Sequence, residues 1–301
     1  MINRMSSSQI HMSSLDVILD AQARLQRTQE EMASGKRILN PSDDPVASAQ
    51  IQSIKSELTR IETLQSNANR AASELAMVES SVANVESILM RARELAVRGG
   101  NSSLSLADRK IIATEIDGLR EQLIAAANTQ DSGGNYIYAG YAVETKPYTD
   151  DAGLNATFNG DSGGRSITVA SGVTVDVRVN GDALFGEGFA DTGDYNAFEA
   201  LGFLSTALRA NTSVGTYITA IDTNLENVRS IRTEFGVRMN RVEDQQLLND
   251  NFNLRLQETL SGLEDLDYTK AITEMNLQMV ALEAAQKAYT ATQQITLFNY
   301  L

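Results

Sequence analysis

Cysteine and tryptophan are absent from this chain of 301 residues, and histidine occurs only once, at His11. Without cysteine the chain forms no disulfide and no thiolate zinc site, and a single imidazole leaves a histidine metal site without its second ligand. A nucleophile paired with a histidine base is equally hard to assemble. The composition predicts a protein that is not an enzyme and holds no metal and no cofactor, and we expect His11 to be a polar position on a packed helix.

Positively charged residues are also few. The chain has 25 lysines and arginines and 39 acidic residues, which give a net charge of −14. Such a charge repels phosphate backbones and anionic lipid headgroups. No apolar run approaches the roughly 20 residues of a membrane span, and residues 1–8 lack the apolar core of a secretory signal. These features argue against nucleic acid and membranes as partners and, taken alone, predict a cytoplasmic protein.

Proline and glycine, which interrupt helices, are few and unevenly placed. The only prolines are Pro41, Pro45 and Pro147, so the tracts 46–146 and 148–301 contain no obligatory helix breaker. Thirteen of the twenty glycines lie between Asp131 and Phe203. The middle of the chain is therefore expected to be built differently from its flanks.

One stretch dominates what is present, because its apolar residues alternate three and four apart without interruption. They are Ile61, Leu64, Ala68, Ala71, Leu75, Val78, Val82, Val85, Leu89, Ala92 and Ala96. This spacing is a heptad seam. A helix with one such stripe is not stable alone in water, so the stripe must bury against other helices of the chain.

Capping and breaking residues place the helices around this seam. Gly35 ends a first helix, a connector follows, and Pro45 suits the first position of a long helix that reaches about residue 98. A shorter helix is predicted over 106–128, folding back antiparallel. Helix returns after Asn211 and extends to residue 261, where Gly262 is the expected stop.

Weaker heptad stripes occur at both ends of the chain, with glutamines interrupting the apolar spacing at Gln22, Gln29 and Gln286. We predict that these stripes, with the apolar last residues, form an assembly interface and stay largely disordered until they pack against neighbouring subunits. Its predicted residues are Leu15, Ile18, Leu25, Met32, Tyr268, Ile272, Met275, Met279, Leu282, Tyr289, Leu297 and Phe298.

The glycine-rich middle favours short strands. They are predicted at Tyr136–Tyr141, Ala156–Phe158, Ser166–Ala170 and Val173–Asn180, with turns at Asn159-Gly160 and Asn180-Gly181. The predicted fold class is mainly α, a long helical coiled-coil bundle formed by both chain ends with a small antiparallel β domain inserted in the middle. The predicted domains are terminal assembly helices at 1–40 and 265–301, a helical bundle at 41–130 and 204–264, and a β-rich domain at 131–203.

Two motifs suggest other functions. The run Gly160-Asp161-Ser162-Gly163-Gly164 matches the sequence around the nucleophile of chymotrypsin-like proteases, but that chemistry needs a histidine base, and His11 lies in a predicted helix outside the β region. Asp-Ser-Gly-Gly also occurs at 131–134, which favours turn chemistry. Four loop carboxylates lack the spacing of an EF-hand calcium loop: Asp150, Asp151, Asp191 and Asp194.

Several stretches resemble one family, the bacterial flagellin-like axial proteins. The connector residues 34–38 and 41–45 are similar to the signature that these proteins carry between their outer terminal helix and first long helix. Residues 136–140 and 146–148 resemble the hairpin that follows the second helix, and Asp265–Tyr268 resembles a stretch shared across the family. The ending Leu297–Leu301 is similar to hook-associated members at the hook-filament junction, whereas flagellin usually lacks these aromatic residues.

The resemblance implies a structural subunit that is exported unfolded through the flagellar type III channel, without a cleaved signal peptide, to the extracellular flagellum. It replaces the cytoplasmic expectation, because an uncleaved signal escapes the rule applied above. The resemblance also implies a ring of copies between a neighbouring hook-associated protein and flagellin, and an export chaperone on the C-terminal helix. The alternatives are a flagellin filament subunit and an intracellular coiled-coil adaptor.

Overall fold

The computed structural model describes residues 7–150, 156–186 and 195–298, and within these ranges it describes side chains from residue 11 to residue 291. The elements of the described part are α1 (Ser7–Ser34), α2 (Pro45–Gly99), α3 (Leu106–Ala127), β1 (Tyr148–Asp150), β2 (Ala156–Phe158), β3 (Ser166–Ala170), β4 (Val173–Asp176), α4 (Gly181–Phe185), α5 (Ala197–Ala210), α6 (Gly215–Glu264) and α7 (Tyr268–Phe298). The predicted fold class, mainly helical with a small antiparallel β region in the middle, is confirmed.

Contacts within the chain define two compact units. Unit 1 consists of Met1–Arg60 and Phe252–Leu301, and unit 2 consists of Ile61–Asn251. The three predicted domains divide the chain differently, into terminal assembly helices, a helical bundle and a β-rich inserted domain. The predicted boundaries at 40, 130, 203 and 264 therefore stay a prediction.

Unit 2 is built on the central heptad seam of α2. All eleven predicted seam residues are buried, and Leu75, Val82 and Leu89 have no exposed surface. Full burial of one such aliphatic side chain contributes roughly 1.5–3 kcal/mol, so the seam is a large part of the stability of this unit. The prediction that the seam buries against helices of the same chain is confirmed.

The helix α3 folds back along α2, as predicted. Ser105 caps its start, since the Ser105 hydroxyl accepts a hydrogen bond from the Asp108 amide. Gly99 at the end of α2 lies beside Ile112, and Arg91, two turns earlier, pairs with Glu115 further along α3. The contacts therefore run in opposite directions along the two helices, which makes the pair antiparallel.

Charged pairs hold α6 to α2 inside unit 2. The carboxylate of Glu86 accepts hydrogen bonds from Arg229 at 2.8 Å and from Arg232 at 2.9 Å, and Arg232 also reaches Glu79. The guanidinium of Arg229 and then that of Arg232 hold the pKa of Glu86 below its usual range, against the opposing effect of burial. The carboxylate of Glu86 thus stays ionised well into the acidic range.

The β region differs from the prediction in its pairing. It consists of two separate two-stranded antiparallel sheets, β1 with β2 and β3 with β4. The predicted strands at Ala156–Phe158 and Ser166–Ala170 are confirmed, and the last predicted strand ends at Asp176 instead of Asn180. The turn predicted at Asn159-Gly160 joins no hairpin, because β2 pairs with β1, which the sequence analysis missed.

The strand predicted at Tyr136–Tyr141 is wrong. Ile137, Tyr138 and Ala139 are buried and Tyr141 is exposed, and they pack as an irregular segment in which Tyr138 donates a hydrogen bond to Ser81 Oγ at 2.8 Å. Gly140 adopts a φ of +71°, and a Cβ there would lie 2.3 Å from the backbone oxygen of Asp161. The apolar run at 137–139 therefore reflects contact with the core of unit 2 and not a place in a sheet.

Three further corrections concern a missed helix and the ends of two others. The prediction missed α5, which is marked by a capping box in which Asn196 and Glu199 satisfy each other's backbone amides. Asn180 and Gly181 form no turn, because Asn180 precedes the short helix α4. Gly262 does not stop α6, which continues to Glu264 because glycine is tolerated inside a helix at a cost of about 1 kcal/mol.

Candidate assembly surface

The two helices at the chain ends, α1 and α7, pack against each other in unit 1. On α1 the residues turned away from solvent recur three and four apart, which is a heptad seam in which positions a and d face the partner. They are His11, Ser14, Ile18, Ala21, Leu25, Thr28 and Met32. The matching residues of α7 are Ala271, Met275, Gln278, Leu282, Ala285 and Tyr289.

Polar side chains interrupt this seam at two levels. Thr28 is buried, and its hydroxyl lies 3.1 Å from Gln278 Oε1 and 3.2 Å from the Arg24 carbonyl oxygen. Near the other end, the ring of His11 meets the ring of Tyr289 edge-on, with 6.1 Å between centroids. A polar pair at one level of a helical seam favours the register in which both partners meet. His11 is thus a seam residue, as expected.

The structure separates the predicted interface residues into two sets. Six of them occupy position a of the α1·α7 seam: Ile18, Leu25, Met32, Met275, Leu282 and Tyr289. Leu15, Ile272 and Met279 occupy the adjacent position e and are 48%, 44% and 42% exposed. Tyr268 is also exposed, and its hydroxyl donates to the Met32 carbonyl oxygen. The side chains of Leu297 and Phe298 lie outside the described residues.

The sequence analysis missed position d of the same seam. Its members include Ala21, Thr28, Ala271 and Gln278, whose small or polar side chains do not register in a search for large apolar residues. The predicted stripes combined position a with position e, which holds Leu15, Ile272 and Met279. A search that accepted alanine and threonine would have found the three-four spacing that runs from His11 to Met32.

One side of the helix pair carries no charged residue at position e. We call these position-e residues, together with Met12 and Leu19 at the adjoining position b of α1, the uncharged flank. It consists of Met12, Leu15, Leu19, Gln22, Gln29, Ile272, Met279 and Gln286, and Glu283 at position b of α7 borders it. The charged residues of α1 lie at positions c, f and g, and Asp16 at position f borders Met12 and Leu19. They are Asp16, Asp20, Arg24, Arg27, Glu30 and Glu31. An apolar stripe that covers a, d and e is wider than a two-helix seam needs.

The opposite side of the pair is a groove with charged edges. We call it the alanine groove, and it is lined by Ala21, Arg24, Glu274, Leu277, Gln278 and Ala281, with a volume of about 330 Å³. The neighbouring Leu277 and Val280 of α7 are both exposed. The pair α1·α7 therefore presents two unlike faces, one with bulky apolar side chains and one with small side chains at its base.

The two connectors that flank this helix pair lie side by side. The Arg37 amide donates to the Glu264 carbonyl oxygen at 2.8 Å, and the Leu266 amide donates to the Gly35 carbonyl oxygen at 2.9 Å. Gly35 has a φ of +72°, which few other residues adopt. The stretches around Gly35 and Asp265, both singled out by their resemblance to the flagellin-like family, are therefore in contact.

Glu264 is the charged centre of this contact. Its carboxylate lies 2.5 Å from Lys36 Nζ and 3.0 Å from Lys55 Nζ, so that it joins the connector to α2. The hydrogen bond from Lys36, reinforced by Lys55, holds the pKa of Glu264 below its usual range despite burial. The protonation state of one carboxyl group thus affects the stability of the connector region.

The acidic residues of the connector signature fix the start of α2. Asp43 Oδ2 accepts hydrogen bonds from the amides of Leu39 and Asn40, and Asp43 Oδ1 pairs with Arg27 at 3.1 Å. The amide of Asn40 is the first cause of the lowered pKa of Asp43. Asp44 Oδ1 accepts the Ala47 amide at 3.0 Å and caps the helix. The signature is therefore explained by local structure.

The Asp-Ser-Gly-Gly repeats are turns. Asp161 Oδ1 accepts hydrogen bonds from the amides of Gly163 and Tyr141, and Asp131 Oδ1 accepts that of Gly133. An aspartate that bonds the amide two residues on forms an Asx turn, so the turn interpretation accounts for both copies. The side chain of Asp131 is further held by Arg178 at 2.9 Å.

Metal ligation finds no support in the described part of the chain. No group of three or more histidine, aspartate or glutamate residues there is arranged to hold an ion. Asp150 pairs through both oxygens with Arg120, at 2.7 and 2.9 Å. Asp151, Asp191 and Asp194 lie outside the described residues. Among the described helices, none is long and apolar enough to cross a membrane.

Both ends of the chain match established flagellar families. Residues 3–143 match the bacterial flagellin N-terminal helical region, and residues 218–301 match the bacterial flagellin C-terminal helical region. The crystal structure of the flagellar junction protein FlgL from Legionella pneumophila has the same fold, with a TM-score of 0.62 and 21% identity over 72% of this chain and 100% of that one.

Two relatives that match along nearly all of their length distinguish between members of the flagellin-like family. The flagellar hook-associated protein 3 of Escherichia coli is 30% identical, with 98% of this chain and 99% of the relative covered. The flagellin of Listeria monocytogenes is 26% identical, with 90% of each chain covered. These relatives belong to structural families of the flagellum. The chain therefore belongs to the flagellin-like family of flagellar structural proteins, in the branch of hook-associated protein 3.

Proposed function

We propose that this chain joins the flagellar hook to the filament by packing its terminal helices against neighbouring subunits. The observation that carries this proposal is the surface of α7, which is apolar on several sides. Ile272 and Met279 are exposed on one side, and Leu277 and Val280 are 67% and 65% exposed on others. Large apolar side chains exposed on more than one side of a helix mark an interaction surface, and α1 covers only one side of α7.

The neighbours in this proposal are other copies in a ring, a hook-associated protein on the hook side and flagellin on the filament side. The name of the Escherichia coli relative supports a hook-associated role, and the matching flagellin regions at both ends support contact with flagellin. Subunits that share one helical framework stack through similar surfaces, which suits a part that connects two assemblies.

In this proposal the chain is exported unfolded through the flagellar type III channel, without a cleaved signal peptide. The absence of cysteine supports it, because a chain that is threaded unfolded into oxidising surroundings then forms no wrong disulfides. The exposed apolar side chains of α7 support an export chaperone that covers this helix until assembly.

We propose separately that residues 1–40 and 265–301, the predicted terminal assembly helices, order fully only on assembly. Circular dichroism of the full chain and of a version limited to residues 41–264 measures the number of helical residues in each. Equal numbers support late ordering of the terminal helices. A loss close to the combined length of α1 and α7 contradicts it and shows that the helix pair forms in the free chain.

The junction role is tested by immunogold electron microscopy of intact cells with an antibody against this chain. Gold at a single position where hook meets filament supports the proposal. Gold along the whole filament identifies a flagellin instead, and gold confined to the cell interior contradicts both. Loss of filament attachment in cells that lack the chain, restored by the full chain, is the matching functional control.

A further inference from the structure

The dipeptide Asn-Gly occurs twice in this chain, at 159–160 and at 180–181. Its asparagine is open to chemical change, because glycine has no Cβ to hinder the attack of its own backbone nitrogen on the asparagine side chain. The attack needs a peptide unit that can rotate, and hydrogen bonds to that unit prevent rotation. The two copies share one intrinsic chemistry, so their structural surroundings decide which of them reacts.

The peptide unit at 180–181 is held at both of its polar groups. The Gly181 amide is buried and donates a hydrogen bond to the Tyr138 carbonyl oxygen at 3.0 Å. The Asn180 carbonyl oxygen accepts the Leu184 amide at 3.1 Å, at the start of α4. A reaction at Asn180 therefore requires local unfolding of this part of unit 2.

The peptide unit at 159–160 has different surroundings. Asn159 is exposed, and within the described part of the chain neither its carbonyl oxygen nor the Gly160 amide makes a hydrogen bond. Asn159 Nδ2 donates to Thr149 Oγ1 at 3.0 Å and to the Thr157 carbonyl oxygen at 3.3 Å, both at the surface. Water replaces such exposed bonds at little cost, so the attacking nitrogen and its target carbon are available in the folded chain.

We infer that Asn159 is a site of spontaneous deamidation in the folded chain, and that the fold protects Asn180. The Gly160 nitrogen loses its proton to hydroxide and forms a bond to Asn159 Cγ. The bond between Cγ and Nδ2 then breaks, and ammonia leaves with a proton from water. Water opens the resulting succinimide at either carbonyl carbon and yields aspartate or isoaspartate.

The product changes the contacts between β1 and β2. A carboxylate has no N–H to donate, so the bonds from residue 159 to Thr149 in β1 and to the Thr157 carbonyl oxygen in β2 are lost. The reaction needs only water and this chain, so it is independent of the proposed function.

Peptide mapping by mass spectrometry tests the inference on the full chain. The folded chain and a sample unfolded in urea are incubated side by side in mildly alkaline buffer made with heavy-oxygen water, which labels every carboxylate formed during the incubation. Urea removes the structural protection, so both asparagines should react there and give the intrinsic rates. Asn159→Gln, whose longer side chain closes the ring far more slowly, is the control variant for the assignment of the modified peptide.

In the folded chain we expect the peptide that contains Asn159 to gain a labelled carboxylate at least about tenfold faster than the peptide that contains Asn180. In urea the two rates should converge. Equal rates in the folded chain overturn the inference, because the hydrogen bonds at 180–181 then give no protection. An unmodified Asn159 in the folded chain, at a time when the urea sample is converted, also overturns it and shows that the contacts with Thr149 and Thr157 are sufficient to block the reaction.

Discussion

The seam of α2 in unit 2 and the seam between α1 and α7 in unit 1 have the same heptad spacing but differ in burial. Leu75 and Leu89 in unit 2 have no exposed surface, whereas Ile18 and Leu25 on α1 are only half-buried. Unit 2 closes its core with helices of its own chain. The helices α1 and α7 pack against each other and keep apolar side chains exposed, and we propose that other subunits complete their burial.

A charge on the uncharged flank is the strongest test of this difference. Leu19→Glu places a carboxylate where we expect a neighbouring copy, and burial of an unpaired charge costs several kcal/mol. We expect loss of filament attachment and of motility with an unchanged melting temperature of the free chain. Ser13→Glu, at the exposed position c that Asp20 and Arg27 also occupy on α1, is the matched control and should swim normally. Normal motility of Leu19→Glu would contradict the role of the flank.

Truncation of one leucine in each unit compares their cores directly. Leu89→Ala should lower the free energy of unfolding by about 2–5 kcal/mol, because it leaves a cavity in a closed core. Leu25→Ala should lower it by about 1 kcal/mol or less, because its half-buried side chain loses less apolar contact. Urea denaturation followed by circular dichroism measures both. Equal losses would remove the distinction between the two units.

The connector region predicts a pH dependence that the carboxylate of Glu264 gives to unit 1. Because the pKa of Glu264 in the folded chain lies below its ordinary value of 4.5, the ionised carboxylate stabilises the fold above about that pH. The contribution is lost as the pH falls through the lower folded pKa. Glu264→Gln should cost about 1 kcal/mol at pH 7, since both lysine partners are partly exposed.

The control for this titration is the same measurement at low pH. The difference in unfolding free energy between the unmodified chain and Glu264→Gln should shrink as the pH falls below 4.5, because both side chains are then neutral. A difference that stays constant from pH 7 to the acid range would show that Glu264 acts through packing and not through its charge.

Replacement of either of two glycines in unit 1 by alanine should give the smallest changes in the free energy of unfolding, and the two changes should have opposite signs. Gly35→Ala forces an alanine to a φ of +72° and places its Cβ 3.1 Å from the Tyr268 hydroxyl, so it should destabilise by about 1 kcal/mol. Gly262→Ala lies inside α6 with open space around the new Cβ and should stabilise by roughly 0.5–1 kcal/mol. Thermal denaturation of both variants measures the two signs, and a shared sign would contradict this account.

The sequence predicted long helices better than it predicted which residues meet. The seam of α2 could be found because its eleven positions hold only apolar residues, and one row of the helix was therefore unambiguous. On α1 and α7 two adjacent rows compete, and the choice between Ala21 at position d and Leu15 at position e depends on the position of the partner helix. Spacing within one segment contains no information about that position.

Two elements of the middle segment were predicted wrongly for a related reason. Tyr136–Tyr141 is rich in aromatic and apolar residues like a strand, but its buried side chains pack in the core of unit 2. The helix α5 was hidden in a segment that was classified by its glycine content. The capping residues Asn196 and Glu199 were the available local signal. The contact between the Gly35 and Asp265 connectors joins distant parts of the chain, and only the resemblance to a family pointed to both.

The central claim is that the uncharged flank is exposed in the free chain and covered in the flagellum. The most direct test labels Leu19→Cys with a maleimide, first in the purified chain and then in detached flagella, with Ser13→Cys at the exposed position c of α1 as the reference thiol. We predict rapid labelling of both thiols in the free chain and strong protection of Leu19→Cys alone after assembly. Equal labelling of the two thiols in assembled flagella would contradict the account.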